Sequence, residues 1–134
     1  MPGTLVDSSV ILDVLEDDPA WYERSAAALA EAASSGPMYI DSVIYAEVSV
    51  GFARIEELEE AVSGCGLVMA PIPKEALFLA AKAFVRYRTR GGVRPVPLPD
   101  FFIGAHAAVS GFDLLTRDPR SVRAYFPTVA LISP

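Results

Sequence analysis

The strongest constraint on this chain is an alternation. Short apolar runs recur between longer stretches whose apolar residues fall at helical spacing. The runs are Thr4-Leu5-Val6, Met38-Tyr39-Ile40, Leu67-Val68-Met69, Asp113-Leu114-Leu115 and Val129-Ala130-Leu131-Ile132. The intervening stretches carry helix start and stop signals. Ser8 or Ser9 caps a helix to about Leu15. Asp18 and Pro19 start a second, to about Ser34, with Trp21, Ser25, Ala28, Leu29 and Ala32 on one face and Gly36-Pro37 at its end. Ser42 caps a third, Ile55 to about Ser63 forms a fourth, and Lys74 to about Arg88 a fifth with Leu77, Ala80, Ala81, Phe84 and Val85 inward. Pro99 and Asp100 open a sixth, ended by Gly111, and Asp118-Pro119 a short last one to Tyr125. Apolar strands alternating with helices imply a parallel sheet of about five strands buried on both faces. The expected class is α/β, a three-layer α/β/α arrangement. No repeat, low-complexity segment or linker divides residues 1–134, which read as one domain.

Four acids stand where an acid is awkward. Asp7 closes the first strand, Glu47 lies inside Ser-Val-Ile-Tyr-Ala-Glu-Val-Ser-Val-Gly, Asp100 opens an apolar helix, and Asp118 follows Leu114-Leu115-Thr116. In parallel α/β sheets the ligand crevice lies beyond the carboxyl ends of the strands, where Asp7 and Asp118 fall. Asp7, Asp100 and Asp118 also have a structural explanation as helix caps. Glu47 has none: Val43, Ile44, Val50 and Gly51 are its helical neighbours, with no base among them. An ionised carboxylate among apolar neighbours is unfavourable by several kcal/mol unless paired. Acids on four elements make sense if they converge on a shared hard cation, the chemistry of phosphoryl transfer or phosphodiester hydrolysis. Ser9 and Thr116 each lie within two residues of an acid and suit a supporting role. His106 is six residues after Asp100, about 240° round the helix, and points away from Asp100's target. It reads as a helix-face or interface histidine, and Asp13 as exposed or peripheral.

Charge adds a second pattern. The net charge is −6, which argues against a simple phosphate-coating nucleic-acid binder. Residues 1–75 hold 14 acids and 3 bases, whereas residues 76–134 hold 3 acids and 8 bases. Two of those three acids are Asp100 and Asp118, so an acidic pocket is expected with a basic rim. Such a rim, with Arg86, Arg88, Arg90 and Arg94 in it, would bring a polyanion to a cation, beside the plainer reading of a solvated face. The Glu56 to Glu60 cluster reads as solvated surface. Cys65 stands alone, which excludes an internal disulfide and a thiolate metal site. No apolar stretch reaches the roughly 18 residues of a membrane span, and the first residues lack signal-peptide features. A cytoplasmic protein is expected. The 52% apolar content suits a chain that hides surface in an oligomer.

Four segments in order carry a family resemblance. They are Val6-Asp7-Ser8-Ser9-Val10-Ile11-Leu12, Ser42-Val43-Ile44-Tyr45-Ala46-Glu47 with Gly51, Pro99-Asp100-Phe101-Phe102-Ile103-Gly104-Ala105-His106-Ala107, and Leu114-Leu115-Thr116-Arg117-Asp118-Pro119. With them the chain resembles PIN-domain ribonucleases of the VapC toxin type. One departure is Ser8-Ser9, where such proteins often have Asn or Thr after the first Asp. The resemblance implies a PIN-like fold, endoribonuclease activity, a Mg²⁺ or Mn²⁺ cofactor, a cognate antitoxin and a homodimer. It also implies that Asp7, Glu47, Asp100 and Asp118 are the catalytic and metal-binding acids, supported by Ser9 and Thr116. Two other readings stay open. One is a Mg²⁺-dependent phosphoryl-transfer domain, although the third strand ends in Met69-Ala70-Pro71 without an acid and Ser9 stands where a phosphatase would want a second Asp. The other is a non-catalytic PIN-like module whose acids grip a partner's arginine.

Overall fold

The first strand, β1 (Thr4–Val6), is buried at all three positions, as a strand covered on both faces must be. The computed structural model describes residues 2–91, 96 and 98–134. After β1 come α1 (Ser8–Leu15), α2 (Tyr22–Ser35), β2 (Met38–Ile40), α3 (Ser42–Ser49), α4 (Ile55–Gly64), β3 (Leu67–Met69) and α5 (Lys74–Thr89). The chain ends with α6 (Leu98–Ser110), β4 (Asp113–Leu115), α7 (Arg120–Tyr125) and β5 (Leu131–Ile132). The five strands form one parallel sheet in the order β3-β2-β1-β4-β5, and the helices give the expected three-layer α/β/α arrangement.

Register sets where the site lies. Leu5 pairs with Tyr39 on one side and Leu114 on the other, and Leu115 pairs with Ile132. From β1 the chain moves outward to β2 and β3, then returns to β4 on the other side of β1. The order therefore reverses between β1 and β4, and a crevice opens beyond their carboxyl ends. Asp7 and Thr116 stand at that point: Asp7 N donates to Leu115 O at 2.9 Å, and Thr116 N to Ile132 O at 3.0 Å.

Several boundaries differ from expectation for identifiable reasons. Asp7, not Ser8 or Ser9, is the N-cap of α1, and its Oδ1 accepts the Ser8 N–H. Asp41, not Ser42, caps α3 by accepting the Ile44 N–H at 2.9 Å. A cap residue keeps extended backbone, so the role falls to the residue leaving the strand. Asp18 accepts from Ala20 N and Trp21 N and so caps a turn, while α2 begins only at Tyr22. α7 begins at Arg120, after Asp118-Pro119.

The inward face of α5 is rotated by one residue, about 100°, from the expected one. Ala76, Ala80 and Ala83 are buried, whereas Leu77 is 42% and Val85 56% exposed. The alanines let α6 lie close along α5. Gly104 does the same for α6, since a Cβ there would come within 2.5 Å of the Phe126 ring. No helix among the described residues is long and apolar enough to cross a membrane.

Candidate active site

Asp7 is the most tightly held of the four acids. Its Oδ2 accepts from Ser9 Oγ at 3.0 Å and Thr116 Oγ1 at 2.9 Å, and its Oδ1 accepts the Ser8 N–H at 2.9 Å. A carboxylate offers about four acceptor directions, so these three bonds leave one on Oδ1. Burial pushes the Asp7 carboxyl above its ordinary value against the lowering effect of those bonds, with a further rise from Asp41. Thr116 also accepts from Asp118 N at 3.2 Å, so one buried hydroxyl ties the end of β1 to the loop bearing Asp118.

Asp7, Asp100, Asp118 and Thr116 line one cavity of about 30 Å³, together with Ile103, Leu114, Ser121 and Val122. That volume suits one or two waters or a small ion. Burial raises the Asp100 carboxyl to about 6, helped by the charges of Asp7, Glu47 and Asp118. Asp118 is exposed and sits 3.4 Å from Arg120 Nε.

Glu47 lies beside this cavity rather than in its wall. Ser8 Oγ donates to Glu47 Oε1 at 2.9 Å. Burial raises its carboxyl despite that bond, and Asp7 and Asp41 raise it further. The four acids thus sense one another, yet among the described residues no three His, Cys, Asp or Glu side chains are arranged to hold a metal ion directly. The arrangement is open, with the carboxylates spaced rather than clasped. Mg²⁺ favours such sites, keeping several waters and using few direct protein bonds.

Arg86, Arg88 and Arg90 are exposed around the C-terminal end of α5, and Arg94 lies outside the described residues. His106 is fully buried, not at a surface, and its Nδ1 lies 2.9 Å from Asp41 Oδ2. Asp13 is also buried, contrary to expectation. It accepts from Ser25 Oγ at 2.7 Å and Arg117 Nη1 at 2.6 Å, and Arg117 lies over the Trp21 ring. The Glu56 to Glu60 acids are exposed, as expected.

Sequence reasoning missed Asp41 and the partners of Asp13. An Asp directly before the expected cap was a signal for the first, since Asp caps as well as Ser. No local signal marked the second, because Arg117 reaches Asp13 across 104 positions of sequence.

A PIN domain model matches residues 4–127, and the chain belongs to the PIN domain family. Among solved structures it is similar to VapBC2 from Rickettsia felis bound to a promoter DNA fragment, with a TM-score of 0.72, 15% identity and 98% of each chain covered. DNA-bound VapBC from Salmonella typhimurium gives a TM-score of 0.69 at 19% identity, over 99% of this chain and 98% of that one. VapC20 from Mycobacterium tuberculosis, a Sarcin-Ricin loop cleaving toxin, gives 0.61 at 14% identity, over 91% and 95%. At these identities the likeness establishes the shared fold. Comparison with curated proteins returned no match.

Proposed function

We propose that the chain is a divalent-metal-dependent endoribonuclease, a VapC-type toxin held in check by a cognate antitoxin. The observation that carries this reading is the convergence of Asp7, Asp100 and Asp118 on one small cavity, with Glu47 close enough to raise Asp100. The donor set is all oxygen, which suits Mg²⁺ or Mn²⁺. The mutual repulsion of the acids is what a cation relieves. Asp7, Glu47, Asp100 and Asp118 are the residues that would hold it. A bound dication would lower the pKa of a water and offset charge on the scissile phosphate during in-line attack.

The chain's own groups do the positioning. Ser9 and Thr116 fix the Asp7 carboxylate so that its remaining acceptor direction stays open. Ser8 does the same for Glu47. The exposed Arg86, Arg88 and Arg90, with Arg94, supply electrostatic contacts to an RNA backbone. His106 takes no part as a base. Family membership and the VapBC assemblies among the structural neighbours support the toxin assignment. A homodimer fits the apolar composition, and the cytoplasm is the expected location.

Asp7→Asn tests the reading. Removing the charge at nearly constant side-chain size, with the Ser9 and Thr116 hydroxyls turning to face the new amide, should abolish RNA cleavage while a cooperative thermal transition remains. Chelation by EDTA should stop the wild-type enzyme, and Mg²⁺ or Mn²⁺ should restore it. Undiminished cleavage by folded Asp7→Asn would remove the metal model, and turnover in EDTA would favour another mechanism.

A further inference from the structure

The Asp41–His106 pair lies outside the acidic cavity, is completely buried, and joins the two helices that carry Glu47 and Asp100. Asp41 caps the start of α3 through Oδ1 and meets His106 Nδ1 through Oδ2. The two side chains are 0% and 1% exposed. Asp41 precedes Glu47 by six residues, and His106 follows Asp100 by six. Each acid is therefore about 9 Å along its helix from the bond. The charge of Glu47 also helps raise the Asp100 carboxyl. The start of α3 is thus tied by a buried bond to α6, and each helix carries one of the acids six residues from that bond. α3 also packs directly on α6.

We infer that Asp41 and His106 are positioning residues, which set the slide and rotation of α6 against α3 and so the spacing of Glu47 and Asp100. This rests on the proposed function, since the spacing matters because both acids serve one cation. Apart from His106, the buried side chains of α3 and α6 offer no polar group: Ile44, Val48, Phe101, Ile103, Ala105 and Ala107 are apolar. Apolar contact is non-directional and leaves sliding only weakly opposed. A buried hydrogen bond between charged or polar groups is directional, and breaking it leaves a buried carboxylate without its partner. Asp41 has a second tie to the site: its charge is felt at both Asp7 and Glu47.

The test compares three substitutions in the full chain, each checked for a cooperative thermal transition. Asp41→Ser keeps a helix-capping oxygen but is too short to reach His106. His106→Leu fills the space without a polar atom, and His106→Asn retains a donor toward Asp41. Calorimetric Mn²⁺ binding and steady-state RNA cleavage are both measured. A displacement of about 1 Å at a reacting centre is worth up to about 100-fold. Asp41→Ser and His106→Leu should therefore weaken Mn²⁺ binding about tenfold or more and lower kcat similarly, with KM for RNA unchanged. His106→Asn should restore both to within about threefold of wild type. Either disrupting variant, folded yet binding Mn²⁺ like wild type, overturns the inference. So does equal loss in His106→Asn and His106→Leu. If Asp7→Asn loses Mn²⁺ binding while these variants keep it, only the positioning role fails. If the wild type binds no Mn²⁺, the functional reading fails with it.

Discussion

Replacing Asp100 with Asn should make the metal-free protein more stable while removing its activity. The Asp100 carboxyl rises from 3.8 to about 6 because of burial and the charges of Asp7, Glu47 and Asp118. At 1.36 kcal/mol per pH unit, that rise is a penalty of about 3 kcal/mol on the ionised form. Asp100 keeps some contact with solvent, so about 1–2 kcal/mol is a reasonable share to appear in stability. Because the folded value is raised, Asp100's favourable contribution is fully present below about pH 4. It is lost as pH climbs through about 6. The wild type should lose stability over that window, and Asp100→Asn should lose less, keeping only the part that comes from the raised Asp7 and Glu47 carboxyls. Thermal or urea melts in EDTA at pH 7 should place the variant about 1–2 kcal/mol above wild type, a Tm gain of roughly 4–8 °C. At pH 4 the two should converge. Saturating Mg²⁺ should reverse the order at pH 7, since an ion at 100 times its Kd stabilises by about 2.7 kcal/mol. A variant that is less stable than wild type at pH 7, or a difference unchanged from pH 7 to pH 4, would refute the reasoning.

Three further outcomes follow from the same geometry. Thr116→Val removes a donor from Asp7 and should raise the Asp7 pKa further, destabilise by about 1–2 kcal/mol and lower kcat, as checked by carboxyl NMR titration and kinetics. Arg117→Ala leaves the buried Asp13 without its cation and should cost about 2–3 kcal/mol in a urea melt; a change under 0.5 kcal/mol, roughly a surface effect, would mean the pair is solvated. Changing Arg86, Arg88 and Arg90 together to Ala should weaken RNA binding and flatten its log–log salt slope by about 2; an unchanged slope would place those arginines away from the RNA path.

Much of this architecture was legible in the sequence because its signals are local. The short apolar runs marked the strands, since a buried parallel strand has no alternation to obscure it, although the last covers only Leu131–Ile132 of the expected 129–132. Asp7 and Asp118 could be assigned to the crevice edge because position after a strand fixes location in such sheets. What was not legible depends on tertiary partners. The face of α5 was misjudged because Leu77 and Val85 weigh more in a periodicity argument than the alanines that actually allow close helix packing. Asp13 looked peripheral because Arg117 and Ser25 reach it from other elements. His106 was correctly set apart from the acidic target, but its burial against Asp41 could not be read from helical angle alone. Glu47 kept its prominence yet stands beside the cavity rather than in its wall, held by Ser8.

The central claim, that these acids position water for attack on an RNA phosphodiester, is tested most directly by the products of cleavage. RNA should be cut by the purified protein with Mg²⁺ or Mn²⁺ in ¹⁸O-water, and the new ends analysed by mass spectrometry. The account predicts one ¹⁸O in the product phosphate, no 2′,3′-cyclic phosphate, and continued cleavage when the 2′-hydroxyl at the cut site is absent. Cyclic phosphate ends without ¹⁸O would contradict it, because the nucleophile would then be the RNA's own hydroxyl.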